Sequence, residues 1–277
     1  MVTVDTGWEA RLALEYALRG ARTTLSRREH SGPLVVQKAL YPEGDAVCHG
    51  IIVHPPGGIA GGDSLALDVR LGKGSATLLT TPGAGKWYKS VGPASSLTQR
   101  FEIAHGAVLE WLPQPAIVFD QARAVVKTSI HLEDEALYIG WDITCMGRTA
   151  SGESFNSGEL RQRTEVRQNS RLLWLEQARL AGDDPMLASA AGLAACTVSA
   201  TLIAAGRDIP KQLLARCRDT AFCMHEQAGI TVLPRVLLAR YLGHSTEAAM
   251  QYFAALWSLL RPALAGRIAV PPRIWAT

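Results

Sequence analysis

The stretch Trp8-Glu9-Ala10-Arg11-Leu12-Ala13-Leu14-Glu15-Tyr16-Ala17-Leu18 decides the fold class. Trp8, Ala10, Leu12, Leu14, Tyr16 and Leu18 recur at every second residue, with Glu9, Arg11 and Glu15 between them, the pattern of a half-buried strand. Comparable short runs follow: VVQKAL (35–40), GIIVH (50–54), LALDVRL (65–71), ATLLTT (76–81), LTQRFEIA (97–104) and AVLEWL (107–112). AVVKTSIHL (124–132), ALYIGWDITCM (136–146), ELRQRTEV (159–166) and RLLWLEQARL (171–180) continue the series. Turn-forming clusters such as Gly72-Lys73-Gly74 and Asn169-Ser170 punctuate them. No helical period separates the runs, which excludes a Rossmann-type fold and predicts a mainly β fold of stacked or layered sheets. No repeat of fixed period is visible, although a solenoid of diverged coils fits the same pattern.

The last third changes character, so residues 1–206 read as mostly β and 207–277 as a helix-containing part of one domain. Pro210 opens KQLLARCRDTAFCMHEQA, and Gly229 follows it, which predicts one helix. Ser245 is a good N-cap for a second, AAMQYFAALWSLLR, with Glu247 in its first turn and a stop at Pro262. ITVLPRVLLARYL between them reads as a strand or a pair of strands. The apolar side chains Phe253, Leu256, Trp257 and Leu260 are expected to need cover from a partner.

Of 277 residues 48% are hydrophobic and 19% charged, with 28 basic against 25 acidic residues, so a disordered chain is excluded. The basic residues are 22 Arg and 6 Lys, scattered without a basic face, which argues against nucleic-acid binding. Five cysteines without a framework spacing, and no signal peptide, point to reduced thiols in the cytoplasm. Residues 186–206 carry no charge but are rich in Ala and Gly, and read as a buried soluble segment rather than a membrane span.

Motifs for familiar chemistry are missing. Thr80-Thr81-Pro82-Gly83-Ala84-Gly85-Lys86-Trp87 fails as a phosphate loop, because Thr80 stands at the first glycine and Trp87 at the magnesium-binding hydroxyl. There is no Gly-x-Ser-x-Gly elbow or His-Glu-x-x-His, and Cys217 and Cys223 do not share a helix face. The glycine loop His54-Pro55-Pro56-Gly57-Gly58-Ile59-Ala60-Gly61-Gly62-Asp63 suits either a tight connection or a backbone that approaches a ligand or mouths a channel. Three carboxylates stand out: Asp142 in YIGWDITCM, Glu176 in LLWLEQARL, and Asp63 closing the glycine loop. A carboxylate in apolar surroundings must be paired, hydrated or metal-bound. Ion pairs with Arg and a hydrated cation path are both open.

HPPGGIAGGD (54–63), TTPGAGKWYKS (80–90), EWLPQPAIVF (110–119), GRTASGESFNSGEL (147–160) and LRPALAGRIAVPPRIWAT (260–277) together resemble the urease accessory protein family UreD, also called UreH. The resemblance runs from about Trp8 to Thr277. It implies a mostly β, β-helix-like fold with two helices and a maturation factor rather than an enzyme. The implied partners are apo-urease, a helical accessory protein (UreF) and a nickel-carrying GTPase (UreG). No tightly bound cofactor is implied; nickel is cargo in transit, through an internal water-filled passage. On this reading Asp63, Asp142 and Glu176 are candidates for a transient nickel path. The C-terminal segment from Arg267, stiffened by Pro271 and Pro272, is expected to be ordered and to present Arg273, Ile274 and Trp275 to a partner. A cytoplasmic hydrolase with an unrecognised site is the alternative.

Overall fold

Alternation places one side of each run against a core and the other in water, and the chain satisfies this by winding. A computed structural model describes residues 7–221 and 226–276. Its strands are β1 (Glu9–Arg19), β2 (Arg22–Ser31), β3 (Val35–Val36), β4 (Cys48–Val53), β5 (Ser64–Leu71), β6 (Ala76–Thr80), β7 (Gly85–Trp87), β8 (Ser95–Ile103) and β9 (Val108–Trp111). There follow β10 (Ala116–Val118), β11 (Arg123–Leu132), β12 (Leu137–Met146), β13 (Glu159–Gln168), β14 (Arg171–Ala181), β15 (Val198–Ala205), β16 (Gln227–Leu233) and β17 (Val236–Gly243). The helices are α1 (Lys211–Arg218) and α2 (Thr246–Ala265).

From β4 to β13, β7 and β10 apart, successive strands go to alternate sheets. A seven-stranded sheet runs β14-β13-β11-β8-β5-β1-β2, and a larger one runs β16-β17-β15-β12-β9-β6-β4-β3. The middle of each is parallel, as β5, β8, β11 and β13 on one side and β4, β6, β9 and β12 on the other. Each turn of the chain therefore lays one strand in each sheet: a solenoid closed at its ends by antiparallel pairs. Ser64 stands opposite Ser96 and Ala76 opposite Val108, an offset of 32 residues; Gln99 stands opposite Thr128, an offset of 29. That drift between coils, with insertions at the turns, hides the repeat from the sequence. β7 and β10 form a short third side, β10 also pairing the end of β12.

The inner face of the seven-stranded sheet packs on the larger sheet through Leu12, Leu14, Val69, Phe101, Ile130 and Val166. Its outer face carries charge: Arg11 and Arg100 both reach Asp68, at 2.9 and 3.2 Å, and Arg161 and Arg179 both reach Glu159, at 2.5 Å. Much of the scattered arginine is used here, in exposed and weakly stabilising pairs. The far face of the larger sheet is covered by the helices, through Leu213 and Cys217 of α1 and Phe253, Leu256, Trp257 and Leu260 of α2. Those four α2 side chains are at most 1% exposed, so they need no partner, contrary to expectation. Each contributes about 1.5–3 kcal/mol by burial against the sheet.

Both helices end differently from the sequence reading. Ser245 does cap α2, accepting from the Ala248 amide at 3.1 Å. Pro262 does not end it; the helix runs to Ala265 and closes on Gly266 in the left-handed conformation, whose amide donates to Pro262. The proline forgoes the bond its amide would give to the carbonyl four residues earlier, a cost offset by the burial of Leu260, Arg261 and Leu264 around it. α1 ends at Arg218, and Gln227 and Ala228, read as its last turn, already belong to β16, which pairs with β17 as a hairpin. The cross-strand pairing of β16 overrides the helical pattern there, and Cys223 lies outside the described residues. The uncharged stretch 186–206 forms a short 3-10 turn at Pro185–Leu187, a run of turns, and β15. Among the described residues no helix is long and apolar enough to cross a membrane, and Cys48, Cys145, Cys196 and Cys217 are free thiols.

The glycine motif serves coil stacking. A Cβ on Gly58 would stand 2.3 Å from the Tyr88 ring of the next coil, and one on Gly61 2.4 Å from Ser90 Oγ. Gly58→Ala should therefore destabilise the fold by about 1–3 kcal/mol in urea unfolding, through overpacking. Gly83→Ala, whose added Cβ would meet nothing within 4 Å, should change it little.

Candidate functional site

Facing sheets lie roughly 10 Å apart, so the space between them stays open wherever both inner faces carry short side chains. Here Phe101, Tyr138 and Trp111 fill one region, their rings 5.9 and 6.0 Å apart. Beside them Thr128, Thr164, Ala178, Gly140 and Thr201 leave a cavity of about 720 Å³. One end is walled by the motif loops, with His54, Gly58, Pro82, Lys86, Pro113 and Gln114 among its lining. The other end is polar, and Asp142, Gln162, Glu176 and Arg240 line it.

Register explains the polar end. On the seven-stranded sheet Gln99, Thr128, Thr164 and Glu176 are successive cross-strand partners through β8, β11, β13 and β14. On the facing sheet Asp142, Thr201 and Arg240 are successive partners through β12, β15 and β17. Two polar rows therefore confront each other across the gap, with room for ordered water.

Asp142 accepts from Thr144 Oγ1 at 2.7 Å and from Gln162 Nε2 at 3.1 Å. It faces open space yet is enclosed by protein, as a side chain on a cavity wall must be. Burial pushes its carboxyl above the usual range; the two hydrogen bonds pull the other way, and nearby Glu176 adds to the rise. Glu176 accepts from Arg240 at 2.5 Å, and the same Arg240 nitrogen reaches Thr201 Oγ1 at 3.0 Å. The structure thus brings Asp142 and Glu176 to one end of one cavity. Asp63 is elsewhere: its two oxygens accept from the amides of Trp8 and Ala60, both at 2.8 Å, closing the glycine turn, and it does not line the cavity. Among the described residues no three His, Cys, Asp or Glu side chains converge as a metal cage. The site offers a cation sparse, hard oxygen contacts, which exchange readily.

A second buried constellation lies on the far side of the larger sheet. Arg261, with no exposed surface, gives Nε to both oxygens of Glu110 at 3.0 Å and another nitrogen to Glu43 at 2.8 Å. His49 Nε2 also meets Glu43, at 2.6 Å, and Trp257 Nε1 donates to Glu110 at 2.6 Å. Burial pushes Glu110 upward against the pull of Arg261 and Trp257. On Glu43 burial is outweighed by the bonds from His49 and Arg261, which hold it below the usual carboxylate range. The C-terminal turn docks beside this network. Trp275 packs against Trp141 and Trp257, with ring centroids 5.6 and 5.9 Å apart, and its indole donates to Thr80 Oγ1 at 2.9 Å. Arg273 is exposed and Ile274 half-buried. The motif blocks 80–90, 110–119 and 260–277 thus meet in space.

This convergence accords with comparison to known proteins. A family model described as UreD urease accessory protein matches residues 9–276. The chain belongs to the UreD family. A urease accessory protein UreD of Azoarcus sp. (strain BH72) is 50% identical over 271 residues, 98% of this chain and 95% of that protein. One from Dechloromonas aromatica (strain RCB) is 52% identical over 273 residues, with the same coverage. The UreD of Pseudomonas aeruginosa PAO1 is 49% identical over 271 residues, again covering 98% and 95%. UreD proteins are described as accessory factors, which are maturation factors and not enzymes. The hydrolase alternative is therefore set aside.

Arg240, Gln162 and Glu110 are the residues that sequence reasoning missed. Glu110 carried a readable signal, a lone acid in AVLEWL, the same signal that singled out Asp142. Arg240 carried none, because its role depends on β17 lying two strands from β12.

Proposed function

We propose that this chain is a scaffold for urease maturation that binds apo-urease and the UreF and UreG accessory partners, and that nickel crosses it through the cavity between the sheets. The observation that carries this reading is the polar end of that cavity, where two carboxylates and several neutral oxygens line a continuous space without forming a cage. A conduit needs weak sites, since a tight His/Cys set would retain the ion. Asp142 and Glu176 supply the transient contacts. Asp63, in this reading, shapes the loop whose neighbours His54 and Gly58 wall the other end. At the C-terminus Trp275 anchors the turn, and Arg273 and Ile274 are offered to a partner protein.

Filling the cavity tests the route separately from its charge. Ala178, on β14, lines the cavity and carries a small side chain. Ala178→Trp, co-expressed with urease and the accessory proteins, should still co-purify with them while the matured urease contains less than about half its normal nickel, because a constriction slows every ion alike. Full nickel loading by an assembled Ala178→Trp complex would count against an internal route.

A further inference from the structure

The cavity's polar end holds two carboxylates but one guanidinium, and that guanidinium is placed on Glu176. Asp142 takes its hydrogen bonds from two neutral groups, Thr144 and Gln162. A divalent cation arriving here meets an acid already neutralised, with a fixed positive charge beside it. Resting on the reading that a cation crosses this cavity, we propose that Arg240 is its charge gate: the guanidinium occupies Glu176 while the passage is empty and leaves it for a divalent ion to pass.

Three observations support the gate. First, the pair is accessible: Glu176 is 27% and Arg240 46% exposed at the side chain, so it is weakly held and can open. The fully buried Arg261, clamped between two carboxylates, shows what a permanent structural pair looks like in the same molecule. Secondly, Arg240 has a second acceptor, Thr201 Oγ1 at 3.0 Å, on the strand between its own and that of Asp142. It can release Glu176 and keep a hydrogen bond, which lowers the cost of opening. Thirdly, opening frees acceptor atoms. With Arg240 seated, Glu176 Oε1 is taken by the guanidinium; with Arg240 drawn back onto Thr201, both Asp142 and Glu176 present carboxylate oxygens to a divalent ion. Lys86, the other cationic side chain lining the cavity, lies on β7, separated from β12 by β10.

A gate of this kind also prevents retention. When the ion moves on, Arg240 returns to Glu176 and competes with any replacement, so the passage empties without a cage having to be broken.

Direct binding of nickel ion to the full chain, measured by equilibrium dialysis at fixed pH and ionic strength, tests the gate without reference to urease activity. Arg240→Met removes the charge while keeping the length of the side chain, and should bind nickel about tenfold more tightly than the wild type, since a competing cation is gone. Arg240→Lys should restore weak binding, and Arg240→Met combined with Glu176→Gln should lose the gain. Should Arg240→Met fail to fold, Arg240→Gln carries the same expectation. Unchanged nickel affinity in a folded charge-removed variant, or a gain that survives Glu176→Gln, overturns the gate. The route itself fails on different evidence: full nickel loading of urease by the double variant Asp142→Asn, Glu176→Gln.

Discussion

Arg261→Met should destabilise the fold by about 3–5 kcal/mol, the usual cost of removing one partner from a buried ion pair. The side chain is fully buried and answers two carboxylates, Glu110 and Glu43, as well as the carbonyl of Ile268. Without it both acids must either take up protons or remain charged in an apolar layer between the larger sheet and α2. The network also joins segments far apart in the chain, since Glu43 precedes β4, Glu110 lies in β9 and Arg261 in α2. The loss should therefore appear as a lower urea midpoint with an unchanged slope. Glu110→Gln in the Arg261→Met background should recover part of it, because a neutral amide costs less to bury than an unpaired carboxylate. A folded Arg261→Met variant as stable as the wild type would mean that the network contributes nothing net.

How much of this was legible beforehand follows from range. Period-two alternation is a local property, so most strands from Glu9 to Ala181 could be read one by one; β2, polar and mostly exposed, and the three-residue β7 and β10 could not. The winding could not, because the coil offset drifts from 32 to 29 residues and only pairing reveals it. Pro262 and Gly229 misled for the same reason: both are local stop signals, overridden by the packing of α2 on the sheet and by the β16–β17 hairpin. Among the carboxylates, apolar flanks found Asp142 and Glu176. They could not tell a cavity-facing acid from one paired in a dry layer, as Glu110 is, or from one closing a turn, as Asp63 does. Arginine partners were invisible, since the chain holds 22 arginines and their pairing depends on the register of strands distant in sequence.

Removing both negative charges from the cavity should have the largest functional effect. In the double variant Asp142→Asn, Glu176→Gln the shape of the passage is kept: Thr144 and Gln162 still face an amide of the same outline, and Arg240 still reaches Thr201. What changes is the field. Arg240 becomes an uncompensated positive charge at the polar end, and a divalent ion passing near it meets a repulsion of about 1–2 kcal/mol even with partial screening by water. Stability should fall little, because burial already disfavours the charged form of Asp142 and the Glu176 pair is accessible. The measurement that bears most directly on the route is the nickel content of urease matured in the presence of this double variant, with complex assembly checked on the same preparation. Passage between the sheets predicts an intact complex and urease holding roughly a tenth or less of its normal nickel, in line with a barrier of that size. An intact complex that delivers the full complement of nickel would contradict it.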